Sequence, residues 1–483
     1  MVVAGSIQRT LQKNEPADGH DDEQPDTLDR ICMDKKQCRM KTNKQIPKAY
    51  EGNIIDTFRV FTRDPLSFLK LYATNAEGIS TFHIMHYRMI HITDPDMIRK
   101  VLTEHADRYT QSRDRDHMKL LFGNGLLTSA DEHWQRQRPM IQPAFGKAQL
   151  EKLFSKIVSQ IKQFTPPADQ EIDIHQYSID LINRIMADAI FSDVSDETLE
   201  IGSLLIDLKS DTLERLSNFA LPLWIPTPGN IKYKKARQKI YDRINTLLQK
   251  RKHDRSHPGD ILDSLIQAKD KSTGAGMNDE EIAEELLGIY AAAHEPVAIA
   301  LTYSLHLIAT HREVEAKINN EIVAVAPDQT ITLDRYYRLN YIKLVVTETL
   351  RLYPSVWISG RRAIAEDDLN GYRIRKNDNI MYSPAIIHRD PAHWFEPDEF
   401  RPERFDTGHS HHPFSYVPFS GGPKYCLGSH LAMMILQLSI FELMSSYRLH
   451  TDVREISSNP FTTLKPIDKV MFRMSETGRP LNS

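Results

Sequence analysis

A ten-residue stretch near the C-terminus constrains this chain more than any other: Phe419-Ser420-Gly421-Gly422-Pro423-Lys424-Tyr425-Cys426-Leu427-Gly428. It reads as a glycine-rich loop that presents one cysteine and then enters an apolar helix from about Ser429. A lone cysteine is usually a small buried hydrophobe. The surroundings here argue for more. Gly421, Gly422 and Gly428 carry no Cβ, so a flat group could lie against their backbone. The amides after Cys426 open a helix, and their dipoles favour a thiolate. Lys424 adds a positive charge two residues away. A thiolate held in a tight turn is a good axial ligand for haem iron.

The stretch resembles the cysteine-ligand loop of the haem-thiolate monooxygenases, the cytochromes P-450. That pattern runs Phe, two residues, Gly, one residue, a basic residue, one residue, Cys, one residue, Gly. Phe419, Gly422, Cys426 and Gly428 match it. Lys424 stands where the family usually has arginine, which keeps the charge and loses the planar fork.

The chain has 483 residues, 40% hydrophobic and 26% charged, an ordinary globular composition with apolar mass for a large core. A net charge of −4 gives no general argument for nucleic acid. Its three cysteines, Cys32, Cys38 and Cys426, make no disulfide framework and suit a reducing, cytoplasmic setting. There is no unbroken run of about 18 apolar residues, so no membrane anchor is expected. Residues 1–45 read as a polar, disordered tail, with Asp21, Asp22 and Glu23 ahead of a basic patch from Lys35 to Lys44. Cys32 and Cys38 read as ordinary tail cysteines, with metal ligation as the alternative. Residues 46–483 read as a single domain, with no linker and no internal repeat.

Asp64-Pro65 and Asp94-Pro95 are helix starts, and Ser80 to Thr93 alternates like a β-hairpin. Amphipathic helices then fill the chain to about Lys250, broken by Pro222, Pro226 and Pro228. Lys250 to His257 is basic and reads as a solvated helix end. Trp134 and Arg138 are four residues apart and share a helical face. They resemble the family's helix C pair, which hydrogen-bonds a haem propionate.

Asn278 to about His311 is one long helix of about 50 Å at ~1.5 Å per residue, with Asn278 and Glu281 as a capping box. Its middle, Tyr290-Ala291-Ala292-Ala293-His294-Glu295-Pro296, combines small residues, a carboxylate in an apolar run and a proline that should kink it. It resembles the family's helix I, which crosses the distal face of the haem. Ala292, Ala293 and Glu295 fit that pattern, and Pro296 replaces its threonine. By the resemblance, Ala292, Glu295 and Pro296 are the catalytic positions, and Ala293 lies against the cofactor.

Glu348 and Arg351 can pair on one helix face. They resemble the family's Glu-x-x-Arg, whose third member is supplied here by Arg404 in Pro402-Glu403-Arg404-Phe405, with a structural role. Arg361 precedes the Asn370-Gly371 hairpin signal by ten residues, as in the family's second propionate-binding strand, and Arg362 is the near alternative.

The resemblance implies a mainly α cytochrome P-450 fold with a small β-rich lobe, and one haem b on Cys426. It implies oxidation of a small, largely apolar molecule by O2, by hydroxylation or oxidative cyclisation or coupling, as in secondary metabolism. No dinucleotide fingerprint or ferredoxin-like cysteine run is present. Electrons then come from a separate donor such as a ferredoxin or flavodoxin with its reductase. Pro296 keeps a second reading open, a peroxide-using or redox-neutral haem-thiolate enzyme such as a peroxygenase, isomerase or dehydratase. A non-enzymatic haem binder is the third. The pocket is expected between residues 105–125, 205–232, Tyr290, Ala293 and Val356 to Ile358.

Overall fold

The computed structural model describes residues 44–217, 222–254, 257–406, 411–460 and 463–477. The tail expected over residues 1–45, with Cys32 and Cys38, lies outside these residues apart from its last two. Everything is organised round the helix Asp279–Thr310. The Asn278 side chain accepts from the Glu281 N–H while the Glu281 carboxylate accepts from the Asn278 N–H, so the expected capping box closes. This central helix packs on the helices Ile174–Phe191, Asp196–Ser217, Pro228–Asp254, Asn340–Leu352 and Ser429–Ser446. Their apolar faces merge into one large core. Among the described residues it is the one helix long and apolar enough to cross a membrane, and most of it is buried inside the protein.

The β-rich lobe stands to one side. Strands β1 (Ile79–Ile84) and β2 (Tyr87–Ile92) form the expected hairpin. β3 (Tyr109–Gln111) follows, and β4 (Glu171–Asp173) belongs to a separate sheet. β5 (Ser359–Ala363), β6 (Asp367–Leu369), β7 (Tyr372–Ile374) and β8 (Asn379–Tyr382) come after the Asn340–Leu352 helix. The main sheet has the order β1-β2-β8-β5-β3, with β2 and β8 parallel. β6 and β7 turn at Asn370-Gly371, both at positive φ as a tight hairpin requires. β9 (Tyr447–His450) joins β4 through β12 (Met471–Glu476), and β10 (Ser458–Pro460) pairs with β11 (Leu464–Pro466).

The central helix continues through Pro296 to Thr310. One sequence expectation changes here. The basic end at Lys250 to His257 is not wholly solvated. Arg251 is buried and holds Asp260 and Asp263 at 2.7 and 2.6 Å.

Candidate functional site

Helical geometry singles out one face of the central helix. Ala292 is exposed, and Ile289, Ala293 and Pro296 are half-buried, while most of the helix around them is buried. These positions are i, i+3, i+4 and i+7, a single stripe. The stripe is apolar and built of small side chains. Tyr290, expected in the pocket, points elsewhere: it is fully buried and its hydroxyl donates to Asn183 Oδ1 at 2.6 Å. Val356, 41% exposed, is open as expected, whereas Trp357 next to it is buried.

Glu295 lies off the stripe and turns to the helix Asp196–Ser217, where it is ion-paired with Lys209. Burial works to raise its pKa, but Lys209, with help from Lys465 and Thr463, holds the carboxyl below its ordinary value. Lys209 carried no signal in the sequence beyond being one lysine on an amphipathic helix. Pro296 has no N–H, so the Ala292 carbonyl lacks its helical donor. The Pro296 carbonyl accepts from Ser355 Oγ at 2.6 Å.

The cysteine loop is locked from behind. The Cys426 N–H donates to the Phe419 carbonyl at 3.1 Å, closing the turn. Cys426 is open on one face. Protein crowds its other sides, and that burial pushes the thiol pKa up against the pull of the Gly428 and Ser429 amides and of Arg138. The expected thiolate-favouring dipoles are therefore present but outweighed, and a cation on the sulfur would tip the balance. Two of the glycines also serve the packing of the loop itself. A Cβ on Gly422, at φ +65°, would lie 1.7 Å from the Leu102 carbonyl, and one on Gly421 would press on Phe414. Both glycines let the loop pack on its own protein. Only Gly428 leaves room, its nearest neighbour being Phe145 at 4.0 Å.

The network behind the loop is compact. Glu348, fully buried, accepts from Arg351 Nε at 2.7 Å and Arg404 Nε at 2.8 Å. Arg351 donates to the His388 carbonyl at 2.8 Å, and His388 Nε2 accepts the Val417 N–H at 2.8 Å. The ion-paired cluster is thus wired to the strand of chain that enters the loop at Phe419.

Cations gather at one edge of the site. Arg138 Nη2 donates to the Tyr425 carbonyl at 2.6 Å. Lys424 Nζ sits 4.2 Å from the centre of the Trp134 ring, nearer than Arg138 at 5.9 Å. Arg361 is buried, with Nη2 3.2 Å from the Ser420 hydroxyl, while Arg362 turns to Asp116 at 3.7 Å. Burial lowers the Lys424 pKa to about 8, and Arg361, Arg115 and Arg138 add to the effect against Asp131. Arg115 was not foreseen: in Arg113-Asp114-Arg115-Asp116 it looks like ordinary surface charge. Like charges brought this close are costly unless anions join them. A planar group with two carboxylates on one edge, a metal above the sulfur and an apolar body matches this donor set, as haem b does.

The comparisons agree. The family model described as Cytochrome P450 matches residues 47–474. The cyclooctat-9-en-7-ol 5-monooxygenase of Streptomyces melanosporofaciens is 28% identical over 394 residues, covering 80% of this chain and 85% of the relative. Cytochrome P450 3A6 of Oryctolagus cuniculus is 30% identical over 384 residues, covering 74% of this chain and 76% of the relative. The crystal structure of the cytochrome P450DA heme domain superposes with a TM-score of 0.82 at 22% identity, over 91% of this chain and 98% of that one. The chain is an oxidoreductase that uses haem b, and it belongs to the cytochrome P-450 family.

Proposed function

We propose that this protein is a single haem domain, residues 46–483, that inserts oxygen from O2 into a small, largely apolar molecule, by hydroxylation or oxidative cyclisation or coupling. One observation carries the reading: the open stripe Ile289, Ala292, Ala293 and Pro296 is free of charge, although Glu295 is the next residue. Lys209 draws that carboxylate away. Haem bound here supplies the electron transfer and oxygen activation that no amino-acid side chain can.

The residues have separable tasks. Cys426 would hold the haem iron, with Phe419 and Gly428 beside it. Arg361, Arg138, Lys424 and Trp134 hold the propionate edge by charge and hydrogen bonding. Glu348, Arg351 and Arg404 fix the loop. Electrons come from a separate ferredoxin or flavodoxin with its reductase, in the cytoplasm. The Streptomyces relatives, named for the 5-monooxygenation of cyclooctat-9-en-7-ol and for cyclooctatin synthesis, support a small, largely apolar substrate of secondary metabolism.

The balance is RH + O2 + 2 e⁻ + 2 H⁺ → ROH + H2O for a hydroxylation. The test is a screen of small apolar alcohols, cyclooctat-9-en-7-ol among them, for a haem spin-state shift, then turnover of each ligand that shifts it under ¹⁸O2 with a ferredoxin and reductase. One ¹⁸O per hydroxylated product is expected. Product formed only with added peroxide, or without consumption of O2, overturns this reading in favour of the peroxide-using or redox-neutral one.

A further inference from the structure

Reduction of one atom of O2 to water consumes two protons, and the open stripe offers none: Ile289, Ala292, Ala293 and Pro296 have no ionisable or hydroxyl group. Glu295 lies off the stripe and is committed to Lys209. A hydroxyl from a different segment meets the helix backbone at the Pro296 end of this stripe. Ser355 lies between the Asn340–Leu352 helix and β5, is 6% exposed, and donates to the Pro296 carbonyl at 2.6 Å. Its neighbour Val356 is open. Having donated, the Ser355 oxygen keeps two lone pairs, so it can accept a proton from one side and release one to the other.

Its position is fixed twice. The Ser355 carbonyl accepts the Leu464 N–H at 3.1 Å, which ties it to β11. Thr463, the residue before Leu464, is buried beside the Glu295 carboxyl. Behind them lies a half-open cavity of about 340 Å³ lined by His175, Glu295, Asn459 and Lys465 among others. Leu464 thus ties the Ser355 segment to the strand beside that cavity, where Thr463 and Lys465 face the Glu295 carboxyl.

We propose that Ser355 supplies the proton-carrying hydroxyl of the oxygen site, a place that Pro296 leaves without one on the central helix; this rests on the monooxygenase reading above. Ser355 Oγ gives a proton to the reacting oxygen and takes one in return from solvent water. Removing the hydroxyl does not orphan the Pro296 carbonyl, because the central helix continues to Thr310 and supplies its usual donor. Ser355→Ala therefore folds.

The experiment uses haem-loaded protein, with carbon monoxide as the probe, and Ser355→Ala, Ser355→Thr, Pro296→Thr and the double variant Ser355→Ala/Pro296→Thr. Infrared spectra are taken in H2O and D2O. In wild type the C–O stretch is sensitive to D2O. In Ser355→Ala it moves to higher wavenumber and loses that sensitivity, and in Ser355→Thr it is retained. With electrons from NADPH through a ferredoxin and its reductase, hydrogen peroxide released per electron rises severalfold in Ser355→Ala. It falls back in the double variant, where Pro296→Thr returns a hydroxyl to the helix. Identical spectra and peroxide yields in wild type and Ser355→Ala overturn the assignment. A haem complex lacking the thiolate-type CO spectrum in wild type would instead remove the reading beneath it.

Discussion

Replacing Glu348 by alanine is the sharpest test of how the cysteine loop is held. The carboxylate is fully buried and takes four N–H donors: Arg351 Nε and Nη2, Arg404 Nε and the Arg401 backbone. Arg351 is fully buried too, and the Arg404 side chain is 9% exposed. Removing the acid leaves two guanidinium groups whose remaining partners are carbonyls, which share hydrogen bonds but carry no charge. Breaking a buried pair by deleting one partner costs about 3–5 kcal/mol. With an unfolding entropy of roughly 2.1 cal/mol/K per residue over about 430 folded residues, that is a fall in Tm of about 3–6 °C. The loop should suffer more than the average, because Arg351 reaches Val417 through His388. The assay is Tm by circular dichroism together with the ratio of haem to protein after purification. Glu348→Ala should lose both stability and haem, with Glu348→Gln, which keeps two polar atoms in place, intermediate. A Glu348→Ala protein with wild-type Tm and full haem content would show that the cluster neither stabilises the fold nor holds the loop.

The glycine assignments separate cleanly. Gly422→Ala should yield little haem-loaded protein, because its Cβ would overlap the Leu102 carbonyl at a positive φ; overpacking of this kind costs about 1–3 kcal/mol. Gly428→Ala has the space and should load haem, unless the bound group itself needs that space, which titration with haem would reveal as weaker binding at unchanged Tm. Glu285 accepts the Leu126 N–H at 2.8 Å, and burial raises its pKa from 4.5 to about 8. Its folded value lies above its unfolded one, so its contribution is complete below pH 4.5 and is lost as pH rises through 8. Glu285→Gln should therefore gain on wild type in urea unfolding between pH 5 and pH 8, and a constant difference would contradict the burial argument.

Much of the architecture was legible because the signals were local. Asp64-Pro65, Asp94-Pro95, Asn278 with Glu281, and Asn370-Gly371 each fix a terminus or a turn through neighbours in the chain. The Glu348–Arg351 pair was legible for the same reason. What stayed hidden depends on contacts between distant segments. Lys209 and Glu295 are 86 residues apart, and Ser355 and Pro296 are 59 apart. Nothing in the local sequence of Lys209 or Ser355 distinguishes it from an ordinary residue of its type. The packing reason for Gly422 was hidden likewise, since the backbone its Cβ would meet belongs to Leu102.

The central claim is that Cys426 is the thiolate that holds the cofactor. The most direct measurement is the ferrous–carbon monoxide difference spectrum of haem-loaded wild type, Cys426→His and the Cys32→Ser/Cys38→Ser double variant. A red-shifted Soret band in wild type, kept in the double variant and abolished in Cys426→His, is the predicted result. Retention of that band in Cys426→His would contradict the account.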